Sequence, residues 1–135
     1  MCLVHFIGGA FNHQPEELHD RIRPGTADLI KRAFDDIDPA RLVDYHTHIA
    51  GIGTSPSGAF INPKMRRWAH PFHHLKFKVY LSAAGVADVA NADTQLVQRL
   101  VNLIRHISNH GKHRLLAFDK YYTPDGEPDL NKTEF

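Results

Sequence analysis

The sequence predicts an α/β protein built on a parallel strand, helix, strand unit. Three observations predict it: a short apolar strand at Arg41 to His46, an apolar stripe at helical spacing from Leu96 to Ile107, and a second apolar run, Leu115-Leu116-Ala117-Phe118, directly after it. A strand followed by a helix and another strand is the crossover from which parallel sheets are made. The expected elements are a strand near 41 to 47, a helix near 93 to 110 and a strand near 113 to 118.

Taken in chain order, Leu3 to Phe11 reads as a strand or part of the core, since no basic residue precedes it and His5, Gly8 and Gly9 interrupt it, which makes a poor secretory signal. Thr26 is a plausible N-cap for a short amphipathic helix packing one face, with Leu29, Ile30, Ala33, Phe34 and Ile37 at helical spacing and Asp38-Pro39 ending it. Leu42 and Val43 make the following strand read as buried on both sides and ending at the histidines. Gly51 to Gly58 forms a loop whose glycines are free to adopt positive φ. From Pro71 to Val86 the pattern is double: Leu75, Phe77, Val79 and Leu81 alternate as in a strand, whereas Phe72, Leu75, Val79 and Ala83 fit a helix starting at Pro71, and helix is the preferred reading. Asn91 or Asp93 can cap the next helix and Gly111 can close it, and the apolar run after it stops at Asp119. Residues 1–37 are expected to form an N-terminal extension with a short helix, and 38–135 the strand-bearing unit.

The chain has 135 residues and 42% hydrophobic content, enough for one domain with a real core. Sixteen Lys and Arg against fifteen Asp and Glu, interspersed, leave a formal charge of +1, so nothing demands a nucleic acid or an anionic membrane as partner. A lone cysteine, Cys2, excludes an internal disulfide framework, and no apolar run approaches the roughly 18 residues of a spanning helix. The simplest compartment is the cytosol.

Eleven histidines are the outlying feature of the composition. In Asp44-Tyr45-His46-Thr47-His48, side chains two apart on a strand share a face, so His46 and His48 can aim both imidazoles at one metal ion. Asp44 is expected on that face one step deeper, where a carboxylate can orient a ligand ring or answer a buried donor. Two exposed loop histidines around a threonine is the competing reading. His70, His73 and His74, near Arg66, Arg67 and Trp68, could line the mouth over a metal or bind an anionic group, or form a solvated basic helix face. His106, His110 and His113 crowd a helix end, where imidazolium complements the dipole. His5, His13 and His19 have no spacing partner, and Cys2 stands too near the terminus to serve as a nucleophile.

Val43-Asp44-Tyr45-His46-Thr47-His48 followed by Ile49-Ala50-Gly51-Ile52-Gly53 resembles the first strand of the amidohydrolase superfamily. Asn62 to Met65, Trp68 to Pro71, Leu75 to Ala84 and especially Leu115 to Lys120 extend the likeness toward a bacterial branch of the amidohydrolase-related group, over roughly residues 38 to 135. The resemblance implies an incomplete, N-terminal portion of a (β/α)8 TIM barrel, with His46 and His48 holding a catalytic divalent metal, zinc first, at the C-terminal mouth. Asp119 and Tyr122, after the second strand, fall on the same barrel face as substrate-binding or supporting groups; a turn aspartate and a packed aromatic are the alternative. Gly51 and Gly53 turn the loop beside the metal.

The further ligands and the late aspartate of that family belong to strands that are not here, since a barrel needs about 200 to 250 residues. The expected function is therefore metal-dependent hydrolysis of an amide, ester or related bond of a small-molecule substrate by the parent enzyme, the 135-residue chain alone being inactive. Exposed strand edges make homo-oligomerisation an open expectation. Histidinol-phosphatase-like phosphoester hydrolysis, which also opens on an Asp-x-His-x-His strand, and a non-catalytic metal-binding or interaction fragment are the alternatives.

Overall fold

The computed structural model describes residues 13–106 and 111–134. The readings of Leu3 to Phe11, Cys2, His5, Ile107 and His110 lie outside them.

Helix α1 (Pro15–Arg21) opens on a proline, with Glu16 and Glu17 in the first turn facing the positive end of the dipole. Helix α2 (Pro24–Phe34) starts two residues before the expected Thr26 cap: Pro24 presets the helical φ, and Thr26 and Ala27 already donate to the Arg23 carbonyl. It ends at Phe34 rather than Ile37. Its apolar stripe was expected to pack, yet α2 buries none of its residues, and Leu29 is 61% exposed.

Strand β1 (Val43–Ile49) runs on through both histidines, beyond the expected end at His46. Loop 50–62 leads to a single-turn helix α3 (Pro63–Arg66), capped by Asn62, whose side chain accepts from Lys64 N at 3.0 Å. The ambiguous stretch is helix: α4 (Pro71–Ala83), closed by hydrogen bonds from Gly85 N to Ser82 O and from Val86 N to Leu81 O. A 3-10 turn (Val89–Asn91) precedes α5 (Ala92–His106), and strand β2 (Lys112–Ala117) follows. Gly111 closes the crossover at φ 70°, and a Cβ there would stand 2.6 Å from the Leu42 carbonyl oxygen, so the turn requires glycine twice over.

β1 and β2 pair in parallel, as the crossover pattern predicts, from Val43 opposite Lys112 to Ile49 opposite Ala117. Among the described residues the sheet has these two strands only. β1 is largely exposed, Tyr45 at 67%, which corrects the expectation of a strand buried on both sides, because the buried core gathers among loop 50–62 and the helices. Phe118, expected in the core, is 52% exposed.

The core lies beside the sheet. Ile52 and Ile61 of the loop pack with Met65 of α3, Phe77 and Leu81 of α4 and Ala92 of α5. The C-terminal segment returns to it: Asn62 Nδ2 donates to the carbonyls of Leu130 (3.1 Å) and Thr133 (2.8 Å), Thr133 is buried, and Lys76 pairs with Glu134. No helix among the described residues is long and apolar enough to cross a membrane.

Candidate functional site

The histidine pair occupies the C-terminal half of β1. Parallel pairing brings the end of β2 to the same edge, so His48 stands opposite Leu116 and Asp119 lies just beyond the strand. The rings of His46 and His48 are 4.9 Å apart, centre to centre, and nearly perpendicular at 78°. Two imidazoles bound through nitrogen to one ion at about 2.0 to 2.1 Å, with a tetrahedral angle between them, would have ring centres about 5 Å apart. The separation of the two ring centres matches that spacing. No group of three His, Cys, Asp or Glu suited to a metal occurs among the described residues.

Phe118 joins the pair to its surroundings. Its ring stacks on His48 at 4.9 Å, tilted 11°, and it also lines a cavity of about 620 Å³ at the carboxyl ends of the strands. That volume lies within the roughly 300 to 1,000 Å³ usual for small-molecule sites. Ile49, Phe60, Val97 and Ala117 supply apolar wall; Ser57, Thr94, Gln98, Asp119 and Lys120 supply polar groups.

Asp44 is placed differently from its expected position beside the imidazoles. Between Asp44 and Thr47 the register slips, three steps on β1 matching two on β2, and this bulge shifts the alternation of side chains. Asp44 therefore meets Thr47 Oγ1 (3.0 Å) and His113 Nδ1 (3.5 Å) and accepts from the His46 backbone N–H at 2.8 Å. That backbone bond, then the Thr47 hydroxyl, hold its carboxyl below the ordinary value.

Asp119 and Tyr122 do come together. The Tyr122 hydroxyl donates to Asp119 Oδ1 at 3.1 Å, and the Lys120 N–H donates to the same oxygen at 2.7 Å. Donation to the carboxylate, and then its charge, raise the Tyr122 pKa, because the phenolate would lose the bond and meet a like charge. Asp119 lines the cavity, while Tyr122 stands behind it.

Sequence reasoning missed what Asp93 does. Local pattern offers it, or Asn91, as a cap for the start of its own helix; its buried carboxylate instead clasps the loop after β1. Oδ1 accepts from Ile52 N (2.5 Å), and Oδ2 accepts from Thr54 N (2.8 Å), Ser55 N (3.0 Å) and Ser55 Oγ (3.1 Å). The Asp93 N–H in turn donates to Thr54 Oγ1 at 3.0 Å, so the loop caps the helix that anchors it. Burial opposes ionisation of Asp93, but the bonds from Ile52, Ser55 and Thr54 outweigh it and hold the carboxyl below its usual range. Gly51 belongs to this clasp: a Cβ there would come within 2.7 Å of Ala59 Cβ and 3.1 Å of Asp93 Oδ1. Gly51 thus serves close packing against Ala59 and Asp93, and Gly53, at φ 75° and close to the Ala59 carbonyl, turns the loop.

His70, His73 and His74 lie at the α3–α4 corner, and none lines the cavity. His74 is buried, its Nδ1 3.2 Å from the Met65 carbonyl and its ring under Trp68 at 4.3 Å, so it forms no part of a solvated face. His106 does sit at a helix end, its Nδ1 paired with Asn102 O and its Nε2 3.7 Å from Glu16. No protein-family model, curated protein or solved structure matches this chain.

Proposed function

We propose that this chain carries the metal-binding strand and the substrate wall of a metal-dependent hydrolase of the amidohydrolase type, built on the opening strands of a (β/α)8 barrel. The observation that carries the reading is one arrangement. Two imidazoles 4.9 Å apart stand at the carboxyl end of a parallel pair, and Phe118 stacks on His48 while lining the adjacent cavity. Ligands of parallel α/β folds bind at that edge, and the likeness of residues 43–53 and 115–120 to the superfamily points the same way.

When bound, a divalent metal such as zinc activates water and polarises a carbonyl or related group. The chain's own residues do the rest. His46 and His48 offer their ring nitrogens, and Phe118 fixes the plane of the His48 ring. The Asp93 clasp sets the loop that walls the cavity. Asp119, held by Tyr122 and the Lys120 N–H, turns a carboxylate toward the bound substrate. Catalytic zinc normally has three protein ligands plus water, so a third has to come from outside the described residues. Two imidazoles without a third protein ligand hold zinc weakly and reversibly.

Calorimetric zinc titration tests the reading. His46→Ala/His48→Ala should abolish binding, and His70→Ala/His73→Ala, at the distant corner, should leave it intact. Affinity retained without His46 and His48 would refute the proposal.

A further inference from the structure

The charges of this chain balance in total and intermingle over most of its length, but one stretch carries cations alone. From Tyr45 to Ala87 there is no Asp or Glu, while Lys64, Arg66, Arg67, Lys76 and Lys78 all fall there. Residues 13–44 hold eight Asp and Glu against five Lys and Arg. The basic stretch folds into the α3–α4 corner. Lys76 is taken by Glu134, and Arg66 donates to the Ile52 carbonyl. Among the described residues, no carboxylate pairs with Lys64, Arg67 or Lys78.

That corner also carries the most exposed aromatics among the described residues. Trp68 is 80% exposed and Phe72 86%, with Leu75 one turn further along the same side of α4. The opposite side of α4, through His74, Phe77 and Leu81, faces the core, and apart from the contact of Trp68 with the His74 ring the outer aromatic surface stays exposed among the described residues. Adjacent exposed aromatics framed by cations are the composition of a protein interface, where Trp and Arg anchors dominate the binding energy.

A complementary surface exists on the same chain. Helix α2 shows an apolar stripe, Leu29, Ile30 and Ala33, buries nothing, and leads into Asp35 and Asp36, which are exposed and bonded to no cation among the described residues. At 1.5 Å per residue, α2 and α4 are about 16 and 20 Å long, so one can lie along the other. Twofold symmetry makes the contact twice, which doubles the area buried.

We propose that the chain self-associates as a twofold dimer in which α2 of one protomer lies across the Trp68–Phe72 corner of the other, with Asp35 and Asp36 against Arg67 and Lys78. The dimer is independent of the metal reading, since neither surface includes His46, His48 or the cavity wall.

Trp68 is the only tryptophan, so its fluorescence reports this surface alone. The test is sedimentation equilibrium of the full chain over a concentration series, with Trp68 emission followed in parallel. The expected result is a monomer–dimer equilibrium whose isotherm matches a shift of Trp68 emission to shorter wavelength and which weakens with added salt. Arg67→Glu/Lys78→Glu and Leu29→Glu/Ile30→Glu, all at exposed positions, should each weaken it at least about tenfold. Mixing Arg67→Glu/Lys78→Glu with Asp35→Lys/Asp36→Lys should restore association by reversing both sets of charges. A monomer at every concentration, a dimer that leaves Trp68 emission unchanged, or one indifferent to these substitutions would overturn the proposal.

Discussion

Replacing Asp93 by Asn keeps the shape of the side chain and removes half of its accepting capacity. Asp93 Oδ1 takes the Ile52 N–H and Oδ2 takes those of Thr54 and Ser55. An amide offers one oxygen. If the oxygen faces Thr54 and Ser55, the Ile52 N–H is left against an NH2 group; if it faces Ile52, two N–H groups are stranded. The first arrangement is the cheaper. One unsatisfied buried donor costs about 1 to 3 kcal/mol, and the three bonds to Oδ2, from Thr54 N, Ser55 N and Ser55 Oγ, lose about 1 kcal/mol each when the acceptor becomes neutral. Asp93→Asn should therefore destabilise by about 4 kcal/mol or more, a large share of the roughly 5 to 15 kcal/mol of a typical domain. Urea unfolding should show a lower midpoint at unchanged slope.

The same substitution has a pH signature. The folded Asp93 carboxyl lies below its ordinary 3.8, so its stabilisation is complete above that value and is lost as pH falls through the depressed folded value. Wild type and Asp93→Asn should differ most near neutrality and converge in acid. A loss smaller than about 0.5 kcal/mol, or two stability curves that stay parallel on acidification, would refute the clasp.

Gly111→Ala should lower stability by about 2 kcal/mol or more, measured by thermal unfolding, because it forces a Cβ onto a residue at φ 70° and toward the Leu42 carbonyl. Tyr122 should ionise above the ordinary 10.0 in a tyrosinate absorbance titration and return toward it in Asp119→Asn. Since the folded state favours the neutral phenol, its stabilisation holds below the ordinary value and disappears as pH rises through the raised one. Phe118→Ala should weaken zinc binding by about tenfold in calorimetry, because the stacked ring that holds His48 in place is lost, with little effect on urea stability.

What the sequence made legible was mostly local. The α5 stripe, Pro71 at the start of α4, Gly111 at the end of the crossover and the two apolar strands all express short-range periodicity or backbone preference, and each is found near its expected place. Burial was not legible in the same way. Leu42-Val43 and Leu115 to Phe118 have the composition of a covered sheet, but coverage depends on what lies across the face, which no strand encodes about itself. The face assigned to Asp44 failed for a similar reason, because one bulge beside Thr47 is enough to undo strict alternation.

The Asp93 clasp spans about forty positions and leaves no local mark beyond an acidic residue near a helix start, which ordinary capping already explains. His74 shows the converse: inside a run of basic residues it looks solvated, yet its place one turn before Phe77 puts it on the core side of α4.

The central claim is that one metal ion is held by two imidazoles of a single strand. X-ray absorption at the zinc edge of the zinc-loaded chain tests it most directly. Imidazole scattering with nitrogens at about 2.0 to 2.1 Å is expected, lost in His46→Ala/His48→Ala and kept in His70→Ala/His73→Ala. Zinc bound without histidine scattering, or with the same scattering after His46 and His48 are removed, would contradict it.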